Sequence, residues 1–198
     1  MSEKPTVSVI IVNWNGAEHL RLCLPSLASQ SFKLLEIIVV DNRSSDDSAD
    51  VARSFGVRWL PLESNLGLAP GLNRGAAVAS GDLLLFVNND MRFDPGFVAA
   101  LVEPLQREPE IFATDGMQFN WDGTVAAHMA ARLTNAPRGR DSFTELIPGI
   151  HFYQQKKTQK SSVFMASAAC MMVRRRFFEE LGGFDDRLSL GYEDVEIC

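Results

Sequence analysis

Acidic and amide side chains stand at the ends of three strongly apolar segments of this chain. Asn13 ends the first segment, Asp41 ends the second, and Asn88, Asn89 and Asp90 end the third. A carboxylate beside an amide oxygen suits a hard divalent cation such as Mg²⁺ or Mn²⁺. Such a cation takes one or two protein ligands and completes its shell with phosphate oxygens and water. The pattern therefore indicates a metal site in the segment Asn88-Asn89-Asp90, with a plain Asn/Asp turn as the alternative.

Two other acidic positions allow both a functional and a structural interpretation. Asp41 is placed to accept hydrogen bonds from a nucleobase or a ribose at the edge of an α/β sheet. It also suits a helix cap, although residues 44–46 offer that function without it. Glu193 and Asp194 provide either a carboxylate that accepts a proton from a hydroxyl nucleophile or two charges favoured in the first turn of a helix.

The elements that must position these residues alternate between strand and helix. Strands are predicted at 7–12, 35–40, 57–62, 83–87 and 163–173, and helices at 18–29, 50–55, 71–79, 95–107 and 174–181. This alternation predicts an α/β fold with a mostly parallel sheet flanked by helices. The carboxyl ends of parallel strands share one edge, where ligands bind in open α/β sheets. Pro25 is expected to interrupt the first helix, and Pro61 marks an edge strand or a strand end.

Composition excludes several classes of protein. Hydrophobic residues make up 46% of the 198 residues and charged residues 22%, which is ordinary for a globular domain and argues against disorder. The net charge of −6 disfavours general nucleic-acid binding. Three cysteines without Cys-x-x-Cys spacing argue against a disulfide framework and a zinc-cysteine site. No secretory signal is visible, and the longest apolar stretch is too short to cross a bilayer, which needs about 20 residues.

The ordered set of motifs resembles family 2 of the glycosyltransferases, in its rhamnosyltransferase-like branch. The segments that carry the resemblance are 9–15, 39–46, 65–67 with 73–75, 85–90, 182–185 and 192–196. The resemblance implies a GT-A fold over a single domain, residues 1–198. Residues 1–110 would form the nucleotide-sugar-binding half and residues 111–198 the acceptor-binding half. It also implies an enzyme of cell-wall or polysaccharide synthesis.

The same resemblance implies a role for each candidate residue. The nucleotide-binding residues would be Asn13, Asn15, Asp41, Asn65 and Asn73. Asp90, with Asn88 at the first position of the Asp-x-Asp motif, would hold Mg²⁺ or Mn²⁺. Asp194 would be the catalytic base, with Glu193 beside it. The implied reaction moves a sugar, with inversion, from a UDP- or dTDP-sugar to a hydroxyl of a glycan or lipid-linked acceptor.

Several expectations go beyond the site itself. Asn replaces the first Asp of the metal motif, which lowers the local charge, and Ala168-Ala169-Cys170 replaces the Gly-Ala of relatives, which narrows the donor-sugar pocket. We expect a cytoplasmic protein, with a continuation beyond residue 198 that offers peripheral association with the inner face of the plasma membrane. Two alternatives stay open: a sugar-phosphate nucleotidyltransferase and a non-catalytic nucleotide-sugar-binding domain.

Overall fold

The computed structural model describes residues 4–124, 129–133, 150–154 and 166–187. Within them, eight strands and five helices follow one another along the chain. The strands are β1 Val7–Asn13, β2 Glu36–Asp41, β3 Arg58–Pro61, β4 Leu83–Asn88, β5 Ala113–Asp115, β6 Met129–Leu133, β7 Ile150–Gln154 and β8 Cys170–Arg174. The helices are α1 Ala17–Ala28, α2 Ser48–Ser54, α3 Leu68–Val78, α4 Phe97–Arg107 and α5 Arg175–Glu180.

Six of the strands form one mixed sheet in the order β3-β2-β1-β4-β8-β5. Strands β1 to β4 pair in parallel, and β8 lies antiparallel between β4 and β5. Strands β6 and β7 pair with each other in a separate antiparallel sheet. The predicted mostly parallel sheet is therefore confirmed. Pro61 belongs to an edge strand, as expected of a residue that cannot donate a ladder hydrogen bond.

Helices cover both faces of the large sheet, which explains why its central strands are apolar on both sides. On one face, Val9, Ile11 and Leu85 pack with residues of α1 and α4. On the other face, Ile10 and Phe86 pack with residues of α3 and α5. The ring of Phe86 lies 5.1 Å from that of Phe178 and 5.2 Å from that of Phe184, measured between centroids. The core thus fixes the strand ends that carry the polar residues.

The observed boundaries differ from the predicted ones where proline and turn residues decide them. Helix α1 runs through Pro25, so the expected interruption of this helix is absent. Helix α3 begins at Leu68, three residues before the predicted start, and Pro70 is accommodated in its first turn. Strand β8 begins only at Cys170, since the Cys170 N–H donates to the Ser167 carbonyl in a turn, at 3.0 Å.

Candidate functional site

Asn13 links three polar strand ends at the carboxyl edge of the sheet. Its side chain is fully buried, and strand register places it opposite Asp41. Its Nδ2 donates to Asp41 Oδ1 at 3.3 Å and to Ser44 Oγ at 3.2 Å. Its Oδ1 accepts from Asn89 Nδ2 at 2.8 Å. The residues predicted from the ends of β1, β2 and β4 therefore meet in one hydrogen-bonded network.

Asp41 is buried and also closes the turn that follows β2. It is 4% exposed. Its Oδ2 accepts from the Ser44 N–H at 2.9 Å, and its Oδ1 accepts from Ser44 Oγ at 2.5 Å. Both interpretations of this residue thus have a basis in the structure: the carboxylate shapes its own turn and stands at the sheet edge beside Asn13.

The loops after β1 and β2 are tied to each other by Asn15 and Asp46. The Asn15 N–H donates to Ser44 Oγ at 2.8 Å, and Asn15 Oδ1 accepts from the Ser45 N–H at 2.8 Å. Asp46 Oδ2 accepts from the Ala17 N–H at 2.9 Å. Partial burial raises the pKa of the Asp46 carboxyl, but hydrogen bonds from Ser48 and Ala17 outweigh it and lower the pKa overall. The loops after β1 and β2 are therefore held together by hydrogen bonds at the carboxyl edge of the sheet.

Asn42 is a residue that sequence reasoning did not single out. It is buried, its Nδ2 donates to the Gly67 carbonyl at 2.9 Å, and its Oδ1 accepts from the Leu66 N–H at 3.2 Å. Asn65, which was predicted to bind nucleotide, is exposed, and its Oδ1 accepts from the Gly67 N–H at 3.0 Å. Asn42 thereby holds the segment that contains Asn65 against the end of β2. Its position next to Asp41 was the available signal.

Asn73 of α3 is engaged with the Gly-Gly-Phe-Asp motif. Its Nδ2 donates to the Phe184 carbonyl at 2.8 Å and to Asp186 Oδ1 at 2.6 Å. Its Oδ1 accepts from the Phe184 N–H at 3.0 Å. The amide thus joins the predicted nucleotide-binding half to the second half of the chain. A contact between Asn73 and a nucleotide stays a prediction.

Asn88 and Asp90 present oxygen atoms at the end of β4. Asn88 is half-buried and Asp90 is exposed, and within residues 4–124 and 166–187 neither side chain makes a hydrogen bond or an ion pair. The described part of the chain holds no group of three His, Cys, Asp or Glu residues that could bind a metal. One carboxylate and one amide oxygen fit a hard cation whose other ligands are phosphate oxygens and water.

A buried thiol lies close to this pair of residues. Cys23 Sγ is 3.9 Å from the Asn88 carbonyl oxygen. Burial, and secondarily the negative charge of Asp90, raise the pKa of the Cys23 thiol to about 12. The thiol is therefore neutral at physiological pH and adds no charge beneath the predicted metal site.

A second cysteine shapes the segment where the narrower donor-sugar pocket was expected. The Cys170 thiol donates to Asp115 Oδ1 at 3.1 Å, and Asp115 Oδ2 accepts from the Ser167 N–H at 3.0 Å. Burial, followed by the charge of Asp115, raises the pKa of this thiol. The Asn88 N–H donates to the Ala169 carbonyl at 3.1 Å, so this segment lies directly beside the predicted metal site. Sequence reasoning did not identify Asp115.

The predicted catalytic pair lies outside the described residues. Glu193 and Asp194 follow the last described residue, Arg187. Their distance from Asp90 therefore stays a prediction. The described part of the edge contains the predicted nucleotide-binding and metal-binding positions but not the predicted base.

Comparison with known proteins decides the class of this chain. The family model described as glycosyl transferase family 2 matches residues 8–182. The chain belongs to glycosyl transferase family 2. The predicted family and enzyme class are confirmed, and they favour a glycosyltransferase over the nucleotidyltransferase and the non-catalytic module. The chain is also similar to bacterial proteins whose names refer to rhamnosyl transfer and to O-antigen biosynthesis.

Two such relatives match nearly the whole chain. The N-acetylglucosaminyl-diphospho-decaprenol L-rhamnosyltransferase of Mycobacterium tuberculosis is 29% identical over 96% of this chain and 68% of its own length. The O-antigen biosynthesis protein RfbC of Myxococcus xanthus is 32% identical over 98% of this chain, which spans 16% of that protein. The family 2 domain of this chain is thus only a part of the larger relative.

Solved structures confirm the predicted GT-A fold. The mannosyltransferase PcManGT from Pyrobaculum calidifontis, solved with GDP-Man and Mn²⁺, superposes with a TM-score of 0.71 at 19% identity over 99% of this chain. GalNAc-T7, solved with UDP, GalNAc and Mn²⁺, gives a TM-score of 0.74 at 20% identity over the full chain. The chain spans 51% and 40% of these two proteins. None of the helices among the described residues of the family 2 domain is long and apolar enough to span a membrane.

Proposed function

We propose that this family 2 glycosyltransferase moves a sugar from a UDP- or dTDP-sugar, with inversion, to a hydroxyl of a glycan or lipid-linked acceptor. The observation that carries the proposal is the meeting of Asn13, Asp41 and Asn89 in one network next to Asn88 and Asp90, whose side-chain oxygens accept no hydrogen bond from the described residues. A nucleoside diphosphate needs both parts: polar groups for its base and ribose, and a cation site for its phosphates.

The nucleoside part of the donor is assigned to the ends of β1 and β2. Asp41 would accept hydrogen bonds from the base, and Asn13, Asn15, Asn65 and Asn73 would line the pocket. The rigid loops around Asn15 support this assignment, because a preformed pocket orders few groups when the donor binds. Asn13, which is fully buried, would act by holding Asp41 and Asn89 in place through its hydrogen bonds.

The diphosphate is assigned to the end of β4. Asp90 and Asn88 would hold Mg²⁺ or Mn²⁺, which when bound supplies a Lewis acid for the charge that develops on the leaving nucleoside diphosphate. The Mn²⁺ in the two solved neighbours supports a divalent cation here. With Asn in place of Asp at position 88, these two side chains would bring one negative charge to the cation.

Proton transfer is assigned to Asp194, with Glu193 beside it. The acceptor oxygen forms its bond to the anomeric carbon from the face opposite the diphosphate, and the bond between that carbon and the diphosphate oxygen breaks. The hydroxyl proton passes to the Asp194 carboxylate. This single displacement gives inversion and needs no general acid, because the leaving group departs as a stabilised anion.

The name of the tuberculosis relative guides the choice of substrates. It identifies an L-rhamnosyl group as what that enzyme transfers and an N-acetylglucosaminyl diphospholipid as its acceptor. We propose dTDP-L-rhamnose and N-acetylglucosaminyl-diphospho-decaprenol as the first pair to test for this chain. A lipid-linked acceptor would bring the enzyme to the inner face of the plasma membrane.

Two measurements test the proposal. With saturating Mn²⁺ and dTDP or UDP at 100 times Kd, the melting temperature should rise by about 5–10 °C. Asp90→Ala should abolish the metal-dependent part of this rise, whereas the matched control Glu103→Ala, on the exposed face of α4, should keep it. An undiminished rise in Asp90→Ala would remove Asp90 from the metal role.

Transfer is measured with a panel of UDP- and dTDP-sugars, and NMR of the product gives the anomeric configuration. Asp194→Asn should bind the donor normally and lose transfer, because the amide keeps the shape but not the basic oxygen. Transfer at the wild-type rate would reassign the base. Retention of the donor's anomeric configuration would refute the single displacement.

A further inference from the structure

A tryptophan side chain projects into solvent from a rigid turn after β5. Trp121 is 70% exposed, which is unusual for so large an apolar surface. The Asn120 N–H donates to the Thr124 carbonyl at 2.8 Å, and the Gly123 N–H donates to the Asn120 carbonyl at 2.9 Å. Gly123 has a φ of +81°, a conformation that glycine adopts without strain. These hydrogen bonds hold the backbone of the turn that carries Trp121.

Arg92 contacts one face of this indole. Its guanidinium carbon lies 5.4 Å from the centroid of the Trp121 ring, which is within the range of a cation–π contact. Arg92 is two residues after Asp90, so the contact connects the tryptophan turn to the loop that carries the predicted metal ligand. One face of the ring meets Arg92, and a large part of the indole stays open to solvent.

Sheet topology places Trp121 on a particular side of the site. Asp41 ends β2 and Asn13 ends β1, whereas Asp90 follows β4 and Trp121 follows β5 at the far end of the sheet order. Because β5 pairs antiparallel with β8, and β8 pairs antiparallel with β4, the carboxyl end of β5 lies at the same edge as the carboxyl end of β4. Trp121 therefore flanks Asp90 on the side away from Asp41.

We propose that Trp121 is a stacking platform for a pyranose ring of the acceptor and that Arg92 is its positioning residue. This inference rests on the proposed function. With the nucleoside over β1 and β2 and the diphosphate at Asp90, in-line attack requires the acceptor to approach from beyond the donor sugar, on the side toward β8 and β5. The electron-rich face of an indole suits the polarised C–H groups on one face of a pyranose.

The test compares Trp121→Ala and Trp121→Phe with the matched control Phe55→Ala, an exposed aromatic residue at the end of α2. The substrates are dTDP-L-rhamnose and N-acetylglucosaminyl-diphospho-decaprenol in detergent. Trp121→Ala should raise KM for the acceptor about tenfold, which corresponds to about 1.4 kcal/mol. Its KM for the donor and its rate of donor hydrolysis without acceptor should stay at wild-type values. Trp121→Phe, which keeps an aromatic face, should recover most of the loss.

The role of Arg92 is tested by the same comparison of KM for the acceptor with KM for the donor. Arg92→Ala should raise KM for the acceptor by less than Trp121→Ala does, and Arg92→Lys should recover part of it because it keeps the positive charge. An unchanged KM for the acceptor in Trp121→Ala would overturn the inference. An increase confined to KM for the donor would overturn it too, since it would place the donor sugar on the ring.

A binding measurement separates this inference from the proposed function. Titration with N-acetylglucosaminyl-diphospho-decaprenol should change the tryptophan fluorescence of the wild-type chain more than that of Trp121→Phe, which keeps Trp14 and Trp59, with empty micelles as the reference. If the wild type transfers no sugar yet shows this change, the proposed reaction fails and the platform stands. If the wild type transfers sugar and the two titrations agree, the reaction stands and the platform fails. Absence of any fluorescence change in the wild type also refutes the platform.

Discussion

Removal of the Asn13 side chain is the sharpest test of the network at the sheet edge. Asn13→Ala deletes three hydrogen bonds, to Asp41, Ser44 and Asn89. The loss of each hydrogen bond costs about 1 kcal/mol when its partner is left unpaired, and the loss of the bond to the carboxylate costs somewhat more. Asp41 keeps two donors from Ser44, and Asn89 is half-buried, so water recovers part of the loss. We therefore expect the free energy of unfolding to fall by about 2 kcal/mol.

For a chain of this length, such a loss corresponds to a fall in melting temperature of about 4–8 °C. The assay is thermal unfolding followed by circular dichroism, with urea unfolding as an independent measure of the free energy. Asn65→Ala is the matched control, because its exposed side chain makes one local hydrogen bond and the change should lower the melting temperature by less than about 2 °C. If Asn13→Ala lowers the melting temperature no more than Asn65→Ala does, the network does not stabilise the fold.

An isosteric variant gives a second, charge-specific readout. Asn13→Asp keeps the shape but replaces the donor to Asp41 by a second carboxylate, and two such charges repel strongly when buried together. We expect this variant to be less stable than Asn13→Ala at pH 7. An Asn13→Asp variant that is as stable as Asn13→Ala would show that the two side chains do not face each other.

Two further predictions concern packing and the buried thiol. Gly75→Ala should lower the free energy of unfolding by about 1–3 kcal/mol, because the new Cβ would lie 2.4 Å from Cγ2 of Ile10. The control Gly96→Ala, whose new Cβ would have its nearest atom at 3.4 Å, should change this free energy little. Urea unfolding measures both. Cys23, whose pKa is raised to about 12 by burial and the charge of Asp90, should resist alkylation at pH 8 in the folded chain and react after unfolding, as followed by mass spectrometry. The contribution of this neutral thiol to the stability of the fold is complete below pH 9 and is lost as the pH rises from 9 toward 12. Rapid alkylation of Cys23 in the native protein would contradict its burial.

Apolar patterning predicted the strands well because the central sheet is covered on both sides. Strands β1, β2 and β4 differ from the predicted segments by one or two residues, and their polar ends lie at one edge as expected. Patterning placed α1 within one residue at each end, but the interruption expected at Pro25 was wrong. It also failed at the start of β8, where a turn at Ser167 replaces part of an apolar run.

The candidate site was predictable in its position and less so in its contacts. Asn13 and Asp41 could be placed because each ends a buried strand. The partners of Asn73 could not, since the amide binds residues more than a hundred positions away. Asp115 was missed for the same reason: its importance arises from a contact with Cys170, and no local pattern marks a residue whose partner arrives from a distant strand.

The insertion of β8 between β4 and β5 has a consequence for how the protein is made on the ribosome. Strands β1 to β4 can pair with one another once residue 88 has been made, but β4 still lacks its second neighbour, β8. Strand β5 has no partner in the sheet until residues 170–174 have emerged, about eighty positions after the end of β4. During that interval the edge of β4 that later pairs with β8 has unpaired backbone N–H and C=O groups, and such an edge promotes aggregation. We therefore expect chaperones to act mainly on chains in which residues 170–174 have not yet been added to the sheet. Truncated chains that end before residue 170 should show the same exposed edge.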